Sequence, residues 1–279
     1  MAEARDIIYN YLRATKKFPS IWCPGCGIGV FLRALIRAID RIGYDKDRIV
    51  LVSGIGCSGR ITTYVDFNTL HTVHGRALTF ATGIKLANPE LKVIVIMGDG
   101  DALSIGGNHF IHAARRNIEI TAIIINNGVL AMTGGQLSPT TPQNLKTATS
   151  PYGNVENPLD ICELAGAAGS IFVARTTVYH VLHMDRLIGE AIGKKGFSVL
   201  EVLSPCPTRY GKRAGFDSAV AMLKWQRDNT VSVEKAKRLS EEKLCRKIQI
   251  GVLLDREAPS YQERLASLQE RVNEGTDAL

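Results

Sequence analysis

The sequence predicts an α/β fold: a doubly wound, mostly parallel sheet with helices on both faces. Three observations predict it. Short continuous apolar runs recur at residues 49–53, 93–97, 120–125, 170–174 and 197–203, with the length and composition of strands buried on both faces. Helical stretches alternate with them at the spacing of strand–helix–strand units. Loops rich in Gly, Asp, Asn and Cys follow several of the runs, and in an open α/β sheet ligands sit beyond the carboxyl ends of the strands.

Taken in order, residues 49–53 form the first strand. Residues 75–87, rich in Ala and Leu, read as helix and lead to the strand at 93–97. Residues 107–116 carry an apolar stripe of helical spacing before the strand at 120–125. Residues 158–168 read as a helix that follows Asn157, a good cap, with Pro158 at the first helical position. The amphipathic stretch 178–193 ends on Gly193 and precedes the last run. Residues 128–157, by contrast, show no periodicity and contain Gly134, Gly135, Pro139, Pro142, Pro151 and Gly153. A loop of that length inside a compact domain is usually functional. The expected division is a ligand-binding domain over residues 1–215 and a charged, helical extension for subunit contact over 216–279.

Composition bounds the rest. At 279 residues the chain can bury a large core, and 45% hydrophobic with 22% charged residues is ordinary globular material. Its apolar runs are too short to cross a bilayer, and the first five residues carry charge rather than a signal segment; no membrane and a cytoplasmic address are expected. The net charge is +7, with a pI near 9.1. Up to Leu223 there are 23 basic against 17 acidic residues, so the positive field lies over the body of the protein, where it favours anionic ligands or an acidic partner. No dense Lys/Arg stripe with interleaved aromatics is present, which argues against nucleic acid.

Gly98-Asp99-Gly100-Asp101 ends one strand and Asn126-Asn127-Gly128-Val129 ends the next. Gly98 and Gly100 permit close backbone approach to a phosphate, and the following helix offers free amides. A right-handed crossover puts both strand ends side by side. Asp99, the Asn127 amide oxygen and the Val129 carbonyl can then share a magnesium ion with diphosphate oxygens. Gly/Asp/Asn turns are common after strands, and it is the pairing of the two motifs that carries the reading. The pair resembles the motif of thiamin diphosphate enzymes, and that resemblance supplies the cofactor's identity.

Six cysteines in such a chain suggest metal or redox chemistry before disulfides. Cys23 and Cys26 share a Pro/Gly turn, Cys57 follows the first strand and Cys206 follows the last. Cys162 and Cys245 fall in segments 160–168 and 233–247 that read as helices, where buried small apolar residues are expected. Four thiolates suit a [4Fe–4S] cluster or tetrahedral zinc equally by count. The wide separation of the third and fourth ligands is unlike a compact zinc ribbon, and a cluster has a purpose beside an electron-yielding cofactor.

Trp22-Cys23-Pro24-Gly25-Cys26-Gly27, the segment 54–59, His74-Gly75-Arg76-Ala77 with Phe80-Ala81-Thr82-Gly83, the two magnesium motifs, Thr133-Gly134-Gly135-Gln136, Ser138-Pro139-Thr140 and Pro205-Cys206-Pro207-Thr208 together resemble the beta subunits of 2-oxoacid:ferredoxin oxidoreductases. The resemblance covers roughly residues 20–213. It implies a thiamin diphosphate-binding fold over the first domain. It implies one [4Fe–4S] cluster on Cys23, Cys26, Cys57 and Cys206, and magnesium at Asp99, Asn127 and Val129. The cofactor would be lined by Ile55, Gly56, Cys57, Ser58, His74, Gly98, Gly100, Asp101, Ala131 and Met132, with Met132 as the apolar wedge that bends it. Thr133 to Gln136 and the run Arg209-Tyr210-Gly211-Lys212-Arg213 look most like 2-oxoglutarate enzymes, whose substrate's second carboxylate needs a cation; Arg60, Lys212 and Arg213 are candidates. Pyruvate or a broad 2-oxoacid range is the alternative. Arg60 and His74 are the expected catalytic contacts. His71 reads as structural, and His109 with His112 as helix packing.

The activity implied is coenzyme A-dependent oxidative decarboxylation of a 2-oxo acid with ferredoxin as acceptor, or the reverse fixation of carbon dioxide. The carboxylate that activates the aminopyrimidine comes, in this family, from another subunit, so an alpha partner is expected, in an alpha–beta heterodimer or a dimer of heterodimers. A non-redox thiamin enzyme half with structural zinc is the rival of another class.

Overall fold

In the computed structural model, which describes residues 7–274 except 17 and 246, strands form where the apolar runs lie. They are β1 (Ile49–Ser53), β3 (Lys92–Gly98), β4 (Thr121–Asn126), β5 (Phe172–Thr177) and β6 (Ser198–Leu203), each within three residues of expectation. Beside β1 lies a short strand that the apolar pattern does not announce, β2 (Asn68–His71), which is polar and partly exposed. The tail adds β7 (Thr230–Ser232) and β8 (Ile248–Asp255). One eight-stranded sheet results, in the order β2-β1-β3-β4-β6-β5-β8-β7. Every pairing is parallel except that of β8 on β5.

Alternate residues of the central strands feed two separate cores. Leu51, Ile94, Ile96, Ile123, Ile125 and Leu200 point to one face; Val50, Val52, Val93, Val95, Ile124 and Val199 point to the other. This double burial is why the runs are continuous rather than alternating. The first face is covered by α1 (Ile28–Ile42) and α5 (Val181–Gly193). The second is covered by α2 (Ala77–Ala87), α3 (Gly107–Arg116) and α4 (Ile161–Ala168). Arg37 and Arg41 of α1 clamp the buried Asp185 of α5, at 2.9 and 2.7 Å. No helix among the described residues is long and apolar enough to cross a membrane.

Three expectations need correction. The cap of α4 is Asp160, which accepts from the amides of Cys162 and Glu163; Asn157 instead accepts from Gln143. Of the helical extension expected over 216–279, the described residues, 216–274 without 246, are not a helical appendage. They comprise α6 (Ala219–Asn229), β7, α7 (Val233–Ala236), α8 (Glu241–Leu244), β8 and α9 (Tyr261–Asn273), and β8 joins the main sheet across the expected boundary at 215. The helix expected over 233–247 is thus two short pieces, and Cys245 is exposed, whereas Cys162 is buried as expected. The N-terminal stretch 1–5 lies outside the described residues.

Asn117 closes α3 in the left-handed conformation, φ 53°. Its buried Oδ1 accepts from the Phe197 amide at 2.7 Å, and its Nδ2 donates to the carbonyls of Ala258 and Pro259. Asn117→Ala is therefore expected to cost roughly 3 kcal/mol, by stranding the Phe197 amide and forcing a Cβ residue without a local hydrogen bond to φ > 0. Asn117→Gly, which removes only the second penalty, should cost about 1 kcal/mol less; urea unfolding of both variants checks the difference.

Candidate functional site

β3 and β4 lie side by side with Gly98 opposite Ile125, so the two polar loops emerge together at the carboxyl edge. Asp99 follows Gly98 and is 1% exposed. Its Oδ2 accepts from Ser138 Oγ at 2.6 Å and Thr140 Oγ1 at 2.7 Å; Oδ1 receives neither hydroxyl. Burial pushes the Asp99 carboxyl up, while these hydroxyls and the amides of Asp99 and Asn127 pull it down. A buried carboxylate in that position is relieved by a hard cation. On the other loop, Asn127 Oδ1 accepts the Val129 amide at 3.2 Å, folding the turn so that both residues face the same cavity.

That cavity, about 190 Å³, is bounded by every residue expected to contact the cofactor: Ile55, Gly56, Cys57, Ser58, His74, Gly98, Asp99, Gly100, Asp101, Asn127, Val129, Ala131 and Met132. Leu130 and Thr133 also line it and were not expected. Gly100 is required here, since a Cβ would lie 2.8 Å from Leu130 Cγ. Asp101 pins three loops together. Its Oδ1 accepts from the amides of Gly75 (2.7 Å) and Ile55 (3.3 Å) and lies 2.6 Å from His74 Nδ1. Its Oδ2 is buried without a hydrogen-bond partner, and a Cβ at Gly54 would sit only 1.8 Å from it. His71, itself exposed, contacts Ser53, Thr62 and the Gly59 carbonyl through Nδ1 and lines neither cavity. His109 and His112 face neither this cavity nor the next.

The long segment 128–157 is what reaches back over the site. Thr141 Oγ1 donates to the Gly128 carbonyl at 2.7 Å, and Asn154 Nδ2 donates to the Thr141 carbonyl, so the loop that carries Ser138 and Thr140 is tied to the Asn127 turn.

A second cavity, about 310 Å³, is lined by Cys23, Cys26, Cys57 and Cys206 together with Trp22, Arg60 and Arg209. It shares Cys57, Asn127, Ala131 and Met132 with the first. Gly25, at φ 79°, turns the Cys23–Cys26 segment; a Cβ there would be 2.3 Å from Ala219 Cβ, so α6 packs directly on the cysteine turn. Trp22 stacks on Tyr64 and donates Nε1 to the Cys57 carbonyl at 2.8 Å, joining the first two cysteine loops. Burial pushes the Cys26 thiol up to about 12, with Cys206, Cys57 and Cys23 adding to the effect. Burial also raises Cys57, helped by Cys206 and Cys23 and opposed by Arg60. A cationic centre would offset the burial that works against the thiolates of Cys26 and Cys57. Among the described residues no three of the four lie within 4.8 Å of one another, whereas zinc would draw its sulfurs to about 3.8 Å. Four sulfur donors around one cavity suit a tetrahedral ion or a cluster by count.

Of the cations weighed for a substrate carboxylate, Arg60 lines this second cavity; Lys212 and Arg213 line neither, whereas Arg209 lines the second. Arg209 was missed because the turn Pro207–Gly211, which sets its direction, has no periodic signal. Neither Arg60 nor Arg209 has a carboxylate partner among the described residues.

Residues 54–202 match the family described as thiamine pyrophosphate enzyme, C-terminal TPP binding domain. The chain is 62% identical over 199 residues to 2-oxoglutarate synthase subunit KorB of Archaeoglobus fulgidus, covering 71% of this chain and 74% of that one. It is 46% identical over 263 residues to the KorB subunit of Methanocaldococcus jannaschii, covering 94% and 97%. In structure it resembles the 2-oxoglutarate:ferredoxin oxidoreductase from Magnetococcus marinus with 2-oxoglutarate, coenzyme A and succinyl-CoA bound. The TM-score is 0.84 at 33% identity, over 95% of this chain and 90% of that one.

Proposed function

Since the chain belongs to the beta subunits of the 2-oxoacid:ferredoxin oxidoreductases, with a thiamine pyrophosphate-binding domain, we propose that with an alpha partner it oxidatively decarboxylates 2-oxoglutarate. The products are succinyl-CoA and carbon dioxide, with ferredoxin taking the electrons; the reverse carboxylation uses the same site. The observation that carries this reading is the wall common to the two cavities, Cys57, Asn127, Ala131 and Met132, which sets a cysteine-lined chamber directly against a diphosphate-type one.

Asp99, Asn127 and the Val129 carbonyl hold magnesium, and Ser138 and Thr140 keep the Asp99 carboxylate aimed. The loops of Ile55 to Ser58 and of Gly98 to Asp101 hold the cofactor, and Met132 presents an apolar surface to it. Thiamine diphosphate, when bound, supplies the carbanion chemistry that releases carbon dioxide, and a [4Fe–4S] cluster on Cys23, Cys26, Cys57 and Cys206 takes up electrons singly. His74, with Nδ1 engaged by Asp101, keeps Nε2 for a ligand. Arg60 and Arg209 offer the charge that the distal carboxylate of 2-oxoglutarate needs and that pyruvate does not. The basic body suits an acidic electron carrier in the cytoplasm.

The rival, a non-redox thiamin enzyme half with structural zinc, leaves the shared wall without a purpose. The test is anaerobic purification of the alpha–beta complex, with iron, sulfide and zinc measured per beta chain. The expected result is about four irons and four sulfides, with cluster absorption bleached by 2-oxoglutarate plus coenzyme A and far less by pyruvate. Zinc in place of iron overturns the redox reading; equal bleaching by both acids overturns the substrate.

A further inference from the structure

Beneath the magnesium loops lies a group of ionisable side chains, buried at Glu201, largely buried at Arg175 and half-buried at Asp160, that the reaction does not use. Arg175 on β5 and Glu201 on β6 are direct neighbours in register, and their ion pair is short, Nε to Oε2 2.6 Å. Arg175 also pairs with Asp160, the cap of α4, at 2.6 Å, and the Cys162 thiol donates to Glu201 Oε2 at 3.3 Å. The ligand atoms of Asp160, Cys162 and Glu201 are close enough to share a metal ion. The Arg175 guanidinium, however, is already ion-paired to both carboxylates, so the cation of this group is the guanidinium itself.

Buried ion pairs are poor sources of stability: apolar side chains of the same volume commonly serve as well. What this one adds is direction. Glu201 is 2% exposed, and its second oxygen, Oε1, accepts from Asn126 Nδ2 at 2.7 Å. An ionised carboxylate only accepts, so Glu201 decides which end of the Asn126 amide turns toward it. The other end, Oδ1, is thereby aimed at the loops: it accepts the Gly128 amide at 3.1 Å and lies 3.1 Å from Thr140 Oγ1. Gly128 sits between Asn127 and Val129, and Thr140 donates to Asp99.

We propose that Asp160, Arg175 and Glu201 form a positioning device, in which Glu201 orients Asn126 and Asn126 Oδ1, through the Gly128 amide, holds the Asn127–Val129 turn of the magnesium site in place. The inference rests on the magnesium–diphosphate reading above. Arg175 supplies the countercharge that Glu201 meets in its dry site, at 2.6 Å, and Asp160 fixes Arg175 to the start of α4. The contact to Asn126 is the one that acts on the site.

Glu201→Ala alone would strand a buried guanidinium, so the deciding comparison is between two paired variants that both carry Arg175→Leu. One adds Glu201→Gln, which keeps an acceptor for Asn126; the other adds Glu201→Leu, which does not. On the stripped alpha–beta complex, calorimetry reads the magnesium concentration needed for thiamine diphosphate to bind. Iron content and melting temperature report on the rest of the fold. The Gln pair is expected within about threefold of the parent, and the Leu pair about 10–100-fold weaker with iron and melting temperature matching the Gln pair. Asn126→Asp in the parent background, which sets two carboxylates against each other, gives a loss of the same kind.

Equal magnesium demand in the two pairs, or an unaffected Asn126→Asp variant, overturns the proposal. So does loss of iron and fold together in the Leu pair, since that makes the group merely structural. A parent complex that binds the cofactor without magnesium overturns the earlier reading instead.

Discussion

Asp99→Asn is expected to leave a folded chain that no longer retains thiamine diphosphate, with turnover down by at least about 10²–10³-fold. Asp99 is the one carboxylate of the magnesium set, and its two hydroxyl donors converge on a single oxygen. Asparagine reproduces the shape and still accepts from Ser138 and Thr140, so the loop tie survives; the charge that balances a divalent ion does not. Burial works against the ionised Asp99 in the metal-free chain, so the neutral amide removes a penalty rather than adding one. The melting temperature of the stripped variant should therefore equal or exceed that of the stripped parent while cofactor binding is lost. Gel filtration with excess magnesium, followed by cofactor assay, reads the first effect; a thermal scan reads the second. A variant that holds cofactor at the parent's magnesium concentration would show that Asp99 is not a ligand.

Most of the fold was legible because burial on both faces writes itself into local composition. The run Ile49–Ser53 could be bounded to the residue for that reason. β2 was invisible because it is four residues long, polar and partly exposed, held by pairing with β1 rather than by its own pattern. β8 hid in a charged tail, and its place on β5 is a long-range antiparallel pairing that no local window contains. Asp160 displaced Asn157 as the helix cap because it also answers Arg175, a contact fifteen positions away and set only once β5 is in the sheet. Cys245, one residue beyond α8, was read as buried on the expectation of a single helix over 233–247 that does not form.

The site divides the same way. The loops that line its cavity were named through the family resemblance, and the parallel sheet gathers the strand ends that carry them. What supports the lining was not assigned. Ser138 and Thr140 lie about forty residues from Asp99, and their hydroxyls had no assignable role until segment 128–157 folded back. Arg209 in place of Lys212 and Arg213, and the Glu201 contact beneath Asn126, likewise depend on which way a side chain leaves a turn or a strand. Sequence spacing names the loops; the packing between them decides which charges face inward.

Cys206→Ser carries the other large effect. Iron and sulfide are expected to fall from about four of each to below one per chain, and ferredoxin reduction should vanish. Serine is nearly isosteric, and Cys206 is half-buried at the end of β6, so little packing is lost. The magnesium loops lie at β3 and β4, and thiamine diphosphate should still bind with the parent's magnesium dependence. The variant then separates the two halves of the chemistry: 2-oxoglutarate can be bound and carbon dioxide released slowly, but the electrons have no exit through the chain. Cys245→Ser is the control, because that thiol is exposed and lines neither cavity; its iron content should match the parent. If Cys206→Ser keeps full electron transfer, the cluster is not held by these four cysteines. If it loses zinc rather than iron, the shared wall of Cys57, Asn127, Ala131 and Met132 divides a cofactor from a structural ion, and the redox reading falls with it.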